Sequence, residues 1–248
     1  MGHPVTRSAG VLALTATAAL LAGCASSDEP TGAPLPPLPT AVTAPANPGA
    51  TPITDQHRLQ SALLTTAQLP AGFVALPDPV RDLGLPPAAD DQPTADRSST
   101  DPQVCASVLR EVADQSPGAA TRAAARFGGP DFASIDTDAA SFAGDGAARA
   151  FETVQQTLAA CGQYRGTDAD GVAVTYRLGG LDQPAVGDAS IAVRLQTTSD
   201  GLTMTSDAVY AVVGSTVVQV VASGQEPIEP AVLTGLAADA VDRLRGGA

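Results

Sequence analysis

Between Val172 and Ala222 the chain reads as consecutive β-strands joined by short turns, and this run constrains the fold more than any other feature. Val172, Val174, Tyr176 and Leu178 alternate with Ala173, Thr175 and Arg177, and Ile191, Val193 and Leu195 alternate with Ala192, Arg194 and Gln196. Ser199-Asp200-Gly201 is a hairpin signal before a strand over 202–213, and Gly214 turns the chain into another over 216–222. Parallel pairing needs long crossovers, so strands this closely connected form an antiparallel sheet.

Earlier segments supply more strands and the helices. Arg122 to Phe127 and Ala133 to Phe142 flank Gly128-Gly129-Pro130 and read as a strand pair. Four segments carry helical spacing. Asp55 to Thr66 places Leu59 and Leu63 on one face, with Thr54 or Asp55 as cap. Pro102 to Gln115 carries Cys105, Val108, Leu109 and Val112 after the capping Asp101. Gly146 to Ala160 presents Phe151, Val154 and Leu158, and Glu229 to Leu244 presents Leu233, Leu236, Ala240 and Val241. The expected fold is therefore α+β: an antiparallel sheet with helices packed on one face. Residues 77–100 form a long Pro/Asp-rich insertion expected to be disordered.

The N-terminus sets the address. Arg7 precedes an apolar stretch from Ala9 to Leu21, too short to span a bilayer comfortably, and Leu21-Ala22-Gly23-Cys24 follows. This resembles the bacterial lipobox. The resemblance implies a signal peptide over residues 1–23, lipidation at Cys24 and attachment to the extracytoplasmic face of the cell membrane, since two or more acyl chains anchor a protein stably. Residues 24–54 then read as the lipidated Cys and a disordered tether: Ala25 to Pro52 contains eight prolines and no period of 2 or 3.6. In polyproline form at about 3.1 Å per residue, that stretch would reach roughly 85 Å. Residues 55–248 remain for one domain.

With Cys24 assigned to lipid, Cys105 and Cys161 are left, both on apolar helical stripes in an oxidising compartment, and are expected to pair. Closing a loop of about 57 residues would stabilise the fold by roughly 4 kcal/mol on the chain-entropy model.

Here the residues resemble a known family. The pattern is Leu63-Leu64-Thr65-Thr66-Ala67-Gln68-Leu69-Pro70-Ala71-Gly72-Phe73, then Cys105 on a helix and a strand ending near Phe142. The Ala147-Ala148-Arg149-Ala150-Phe151 helix closing on Cys161 follows, then a four-strand run ending in a helix. From about Asp55 to Arg245 this resembles the PknH-like extracellular sensor domain of actinobacterial serine/threonine kinases and lipoproteins. The resemblance implies an antiparallel sheet with helices around a cleft, a disulfide-stapled frame and a role in binding an extracellular signal. Two departures stand out. Family members often carry two disulfides and a Trp before the helix's Cys, whereas this chain allows one bridge and has Leu158-Ala159-Ala160 there. The chain also carries neither a kinase domain nor a membrane-spanning helix after the tether, so it has no direct route for signalling to the cytoplasm.

Composition narrows the chemistry. All 13 basic residues are arginine, the net charge is −13, and the histidines are only His3 and His57. Schiff-base and P-loop chemistry need the lysine this chain lacks, and general-base chemistry by histidine has only His57 to draw on after residue 23. Nucleic-acid binding needs clustered positive charge and is not expected. Gly-x-Ser-x-Gly, His-Glu-x-x-His and Gly-x-Gly-x-x-Gly are absent from the sequence. Asp136-x-Asp138 resembles the start of a calcium loop but has Ala140 and Ser141 where a ligand and the turn glycine belong, and Asp168-x-Asp170-Gly171 reads better as a turn. No metal or cofactor is expected. Arg177 and Arg194 lie on strand faces opposite the large apolar side chains; if that face lines a cleft, their guanidinium groups could bind an anionic ligand, and otherwise they pair with nearby Asp. The sequence reads as a non-catalytic sensor-like lipoprotein whose partner is an unknown small molecule or an envelope protein. The alternatives are a structural envelope lipoprotein and a hydrolase with an unrecognised carboxylate site.

Overall fold

A computed structural model describes residues 1, 2, 34–78 and 97–247. The segment expected to be a signal peptide (apart from Met1 and Gly2), Cys24 and most of the 77–100 insertion lie outside the described residues. From residue 34 onward the described residues belong to a single unit.

Chain order explains the assembly. A short helix α1 (Gln56–Ser61) starts at Asp55, whose carboxylate accepts the His57 and Arg58 amides at 2.9 and 3.2 Å. A one-turn 3-10 helix, Thr66–Gln68, follows and leads into β1 (Val74–Leu76). Past the insertion come β2 (Ser99–Asp101), a 3-10 turn at Gln103–Ser107 and the single-turn α2 (Val112–Gln115). Strands β3 (Thr121–Gly128) and β4 (Ser134–Ser141) pair as a hairpin before α3 (Gly146–Ala160). Then β5 (Gln163–Thr167), β6 (Ala173–Gly180), β7 (Ala189–Ser199), β8 (Leu202–Val213) and β9 (Thr216–Gly224) form a meander, closed by α4 (Pro230–Gly247).

Among the described residues, nine strands make one sheet in the order β1-β3-β4-β9-β8-β7-β6-β5-β2, antiparallel at every junction. The α+β class, the antiparallel sheet and the single disulfide match the expectation. The helices, however, divide between the two faces. Strand β9 is the reason: Val217 and Val221 point to one side, Val218 and Val220 to the other, and all four are buried. A strand apolar on both sides needs cover on both. α3 and the disulfide cover one face through Phe151, Val154 and Leu158; α1 and α4 cover the other through Leu59, Leu233, Leu236 and Val241. Cys105 and Cys161 are bonded with their Cα atoms 5.7 Å apart, tying the 3-10 turn before α2 to the end of α3.

The expected helix over 102–115 is broken. Leu109 takes φ 59°, and the Gln219 amide donates to its carbonyl at 3.2 Å while Asp138 accepts the Val112 N–H at 2.8 Å. Tertiary hydrogen bonds override helical propensity here, although Cys105, Val108 and Val112 still bury the expected stripe. Residues 34–52, assigned from sequence to a detached tether, lie against the domain without regular secondary structure. The Gly180 N–H donates to the Pro36 carbonyl at 3.0 Å, Val42 exchanges two hydrogen bonds with the Gln155 side chain, and Ala44 is buried. Glycine makes this approach feasible: a Cβ at Gly180 would stand 2.4 Å from the Pro37 oxygen, and one at Gly179 would stand 2.5 Å from Leu35 Cβ.

Candidate functional site

The break at Leu109 turns residues 109–114 into a ridge over the face of the sheet that also carries α3. Three buried side chains hold it. Gln219 and Asp138 grip Leu109 and Val112 as above, and the Gln115 amide donates to the Arg110 carbonyl. Behind them Tyr210 is fully buried, and burial pushes its hydroxyl well above its ordinary value.

Between this ridge and the strands lies a cleft of about 510 Å³. Its floor is formed by Asp136 and Asp138 of β4, Gln219 and Val221 of β9, and Ser206 of β8. The two aspartates are two residues apart on one strand, so they share a face. Burial raises the Asp138 carboxyl well above the usual 3.8; the Val112 N–H works against this, and Glu111, Asp136 and Asp114 add to it. Asp136 is raised for the same first reason, opposed by Arg126 and the Ser134 hydroxyl. The rim is charged but internally matched: Arg126 meets Glu111 at 3.0 Å, and Asp114 receives Arg122 at 2.8 Å and Arg110 at 3.4 Å. Each rim arginine is more than half exposed, so these pairs add little stability and leave their groups available to a ligand. Chemically, the cleft offers two carboxyls that resist ionisation, an amide, hydroxyls and exchangeable guanidinium pairs.

The arginines singled out from sequence stand elsewhere. Arg177 and Arg194 share the opposite face of the sheet, and neither lines this cleft. Arg194 grips Asp207 with two hydrogen bonds of 2.6 and 2.7 Å, and the Asp207 side chain is only 1% exposed. The signal for this pairing lay in the hairpin. A two-residue turn at Asp200-Gly201 pairs Ser199 with Leu202, and counting back along both strands brings Arg194 opposite Asp207. Asp168 caps a turn, accepting the Asp170 and Val172 amides at 3.0 and 2.8 Å. Among the described residues, no three His, Cys, Asp or Glu side chains are grouped to hold a metal ion. The ridge and its grip on Asp138 escaped sequence reasoning, because the partners are far apart in the chain and hydropathy carries no trace of them.

No family model matches the chain, and no curated protein matches it. Among solved structures, the chain is similar to the extracellular domain of PknH from Mycobacterium tuberculosis. The TM-score is 0.54 at 16% identity over 80% of this chain and 100% of that one. An uncharacterized protein from Mycobacterium smegmatis, the Rv0999 ortholog, matches with a TM-score of 0.39 at 15% identity, over 80% and 98% of the two chains. The first likeness shows a shared fold: this chain has the architecture of the PknH extracellular domain.

Proposed function

We propose that this chain, with the fold of a kinase's extracellular domain, is a membrane-anchored extracytoplasmic lipoprotein whose non-catalytic domain binds a ligand in the cleft under the 109–114 ridge. The observation that carries the reading is the cleft itself. Its volume of about 510 Å³ falls in the range of small-molecule sites, and buried side chains fix its floor without a ligand. Native mass spectrometry of the protein purified from its source membrane tests the reading. A co-purified small molecule, lost in an Arg126→Ala variant, supports it. An empty protein that captures an envelope partner instead turns the reading to interaction. The anchor is tested separately: Cys24→Ala is expected to release the protein from the membrane, and retention would overturn lipidation as the attachment.

A second reading has one observation in its favour. Asp136 and Asp138 are two carboxyls with raised pKa on one cleft floor, the pattern of an acid–base pair. Against it, Asp138 is occupied with the Val112 amide, and among the described residues no aromatic side chain lines the cleft to stack a sugar ring. Turnover of a chromogenic glycoside panel that disappears in Asp136→Asn would restore the hydrolase; no turnover by the native chain removes it.

A further inference from the structure

A second hollow, of about 650 Å³, opens where β4 begins and β9 ends, with the first turn of α4 on one side. Its walls are preformed. On one side stand Pro70 and Phe73, from the Leu69–Phe73 run picked out in the sequence; on the other stand Ile228 and Val232; Ile135 lies at the base. Glycines lock the first wall. A Cβ at Gly129 would fall 2.6 Å from the Phe73 ring, so the ring lies flat on bare backbone, and Gly72, at φ 94°, backs onto Pro130. The loop between β3 and β4 is itself closed by the Gly129 N–H to the Ala133 carbonyl at 2.8 Å and the Ala133 N–H to the Pro130 carbonyl at 2.9 Å. That closure holds Asp131 at the mouth.

The charge around this hollow is one-sided. Asp131, Glu226 and Glu229 line it, no arginine does, and none of the three enters an ion pair among the described residues. The cleft under the ridge matches its rim acids, Glu111 and Asp114, with arginines; this hollow leaves the acids at its mouth unmatched. The N-terminus of α4 contributes partial positive charge, roughly half a unit, which two nearby glutamates more than offset. An apolar chamber fringed by carboxylates complements one ligand chemistry: an apolar body bearing a single positive charge. We infer that this hollow binds a lipophilic cation, such as a quaternary or protonated amine on an aromatic or aliphatic body. Its body packs between Phe73 and Val232, and its charge sits at Asp131, Glu226 and Glu229. The site shares only Ser223 with the cleft and does not depend on what the cleft binds.

Titration of the full chain with benzyltriethylammonium, followed by methyl NMR, tests the assignment. The expected result is saturable shifts at Ile135, Ile228 and Val232, with affinity at least tenfold above that for toluenesulfonate. Removing two exposed carboxylates in Glu226→Gln/Glu229→Gln is expected to weaken binding about fivefold, and raising the salt weakens it in the native chain as well. Thermal unfolding of the double variant should match the native chain, since both side chains are exposed. Toluenesulfonate binding as tightly as the cation, undiminished cation binding by the double variant, shifts confined to cleft residues such as Leu195 and Val221, or no cation binding overturns the inference.

Discussion

A carboxyl group removed from water resists ionisation, and Asp138 sits above its ordinary 3.8 for that reason, with Glu111, Asp136 and Asp114 adding repulsion. The sign of the consequence is fixed. Between 3.8 and the raised value the folded chain holds a proton that the unfolded chain has lost. This contribution to stability is therefore complete below 3.8 and declines as the pH rises through that window. Asp138→Asn keeps an oxygen for the Val112 amide and removes the ionisation. The expected outcome is a melting temperature that gains on the native chain as the pH climbs from acid to neutral, followed by circular dichroism. A difference between the two chains that stays constant with pH would sink the account. The sequence reading placed Asp136 and Asp138 in the strand expected over 133–142 and weighed them only as the start of a calcium loop, with no sign that a ridge folds over them. The contact from Val112 to Asp138 comes from sheet assembly, and local spacing does not encode it.

At the scale of elements, legibility followed periodicity. Helix α3 and strand β8 have the bounds their spacing predicts, because each is long and patterned enough for one reading to dominate. Three short strands escaped. β5 reads Gln-Tyr-Arg-Gly-Thr, with no alternation of large apolar residues, and is held by pairing with β6 and by the Tyr164–Tyr176 stack at 4.4 Å. β2 was absorbed into the Pro/Asp-rich insertion, although its Ser99–Asp101 segment pairs with β5 across Gly166. β1 has three exposed residues and only its ladder to β3 to define it. The seated N-terminal segment carries a prediction at this scale. A side chain at position 180 collides with the Pro37 carbonyl, so Gly180→Val is expected to lift residues 35–44 away from the domain. The domain itself should stay folded, at a cost of roughly 1–2 kcal/mol for the lost packing. Limited proteolysis would then cut within 35–44, which the native chain protects; an unchanged digestion pattern would mean that the segment is not held through this contact.

For the whole molecule, the disulfide cross-links the 3-10 turn that precedes the ridge to the end of α3. Replacing both cysteines in Cys105→Ser/Cys161→Ser is expected to lower stability by about 2–4 kcal/mol, read as a reduced urea midpoint at unchanged slope. A midpoint within error of the native chain would show that packing alone holds this region. The pairing was legible because two cysteines remained once the sequence reading set Cys24 aside for lipid. The two-sided cover of the sheet was harder to see, since a run such as Thr216–Ala222 announces burial without saying what does the burying. On the anchor proposed at Cys24, the seated segment would also reset how far the domain can travel from a lipid surface. With residues 34–52 held on the domain, the chain left between Cys24 and Pro34 is nine residues, and fully stretched it spans only roughly 30 Å. If the lipid proposed at Cys24 moors it, a domain on so short a line would patrol a shell about one domain deep and would meet whatever lies close to the bilayer.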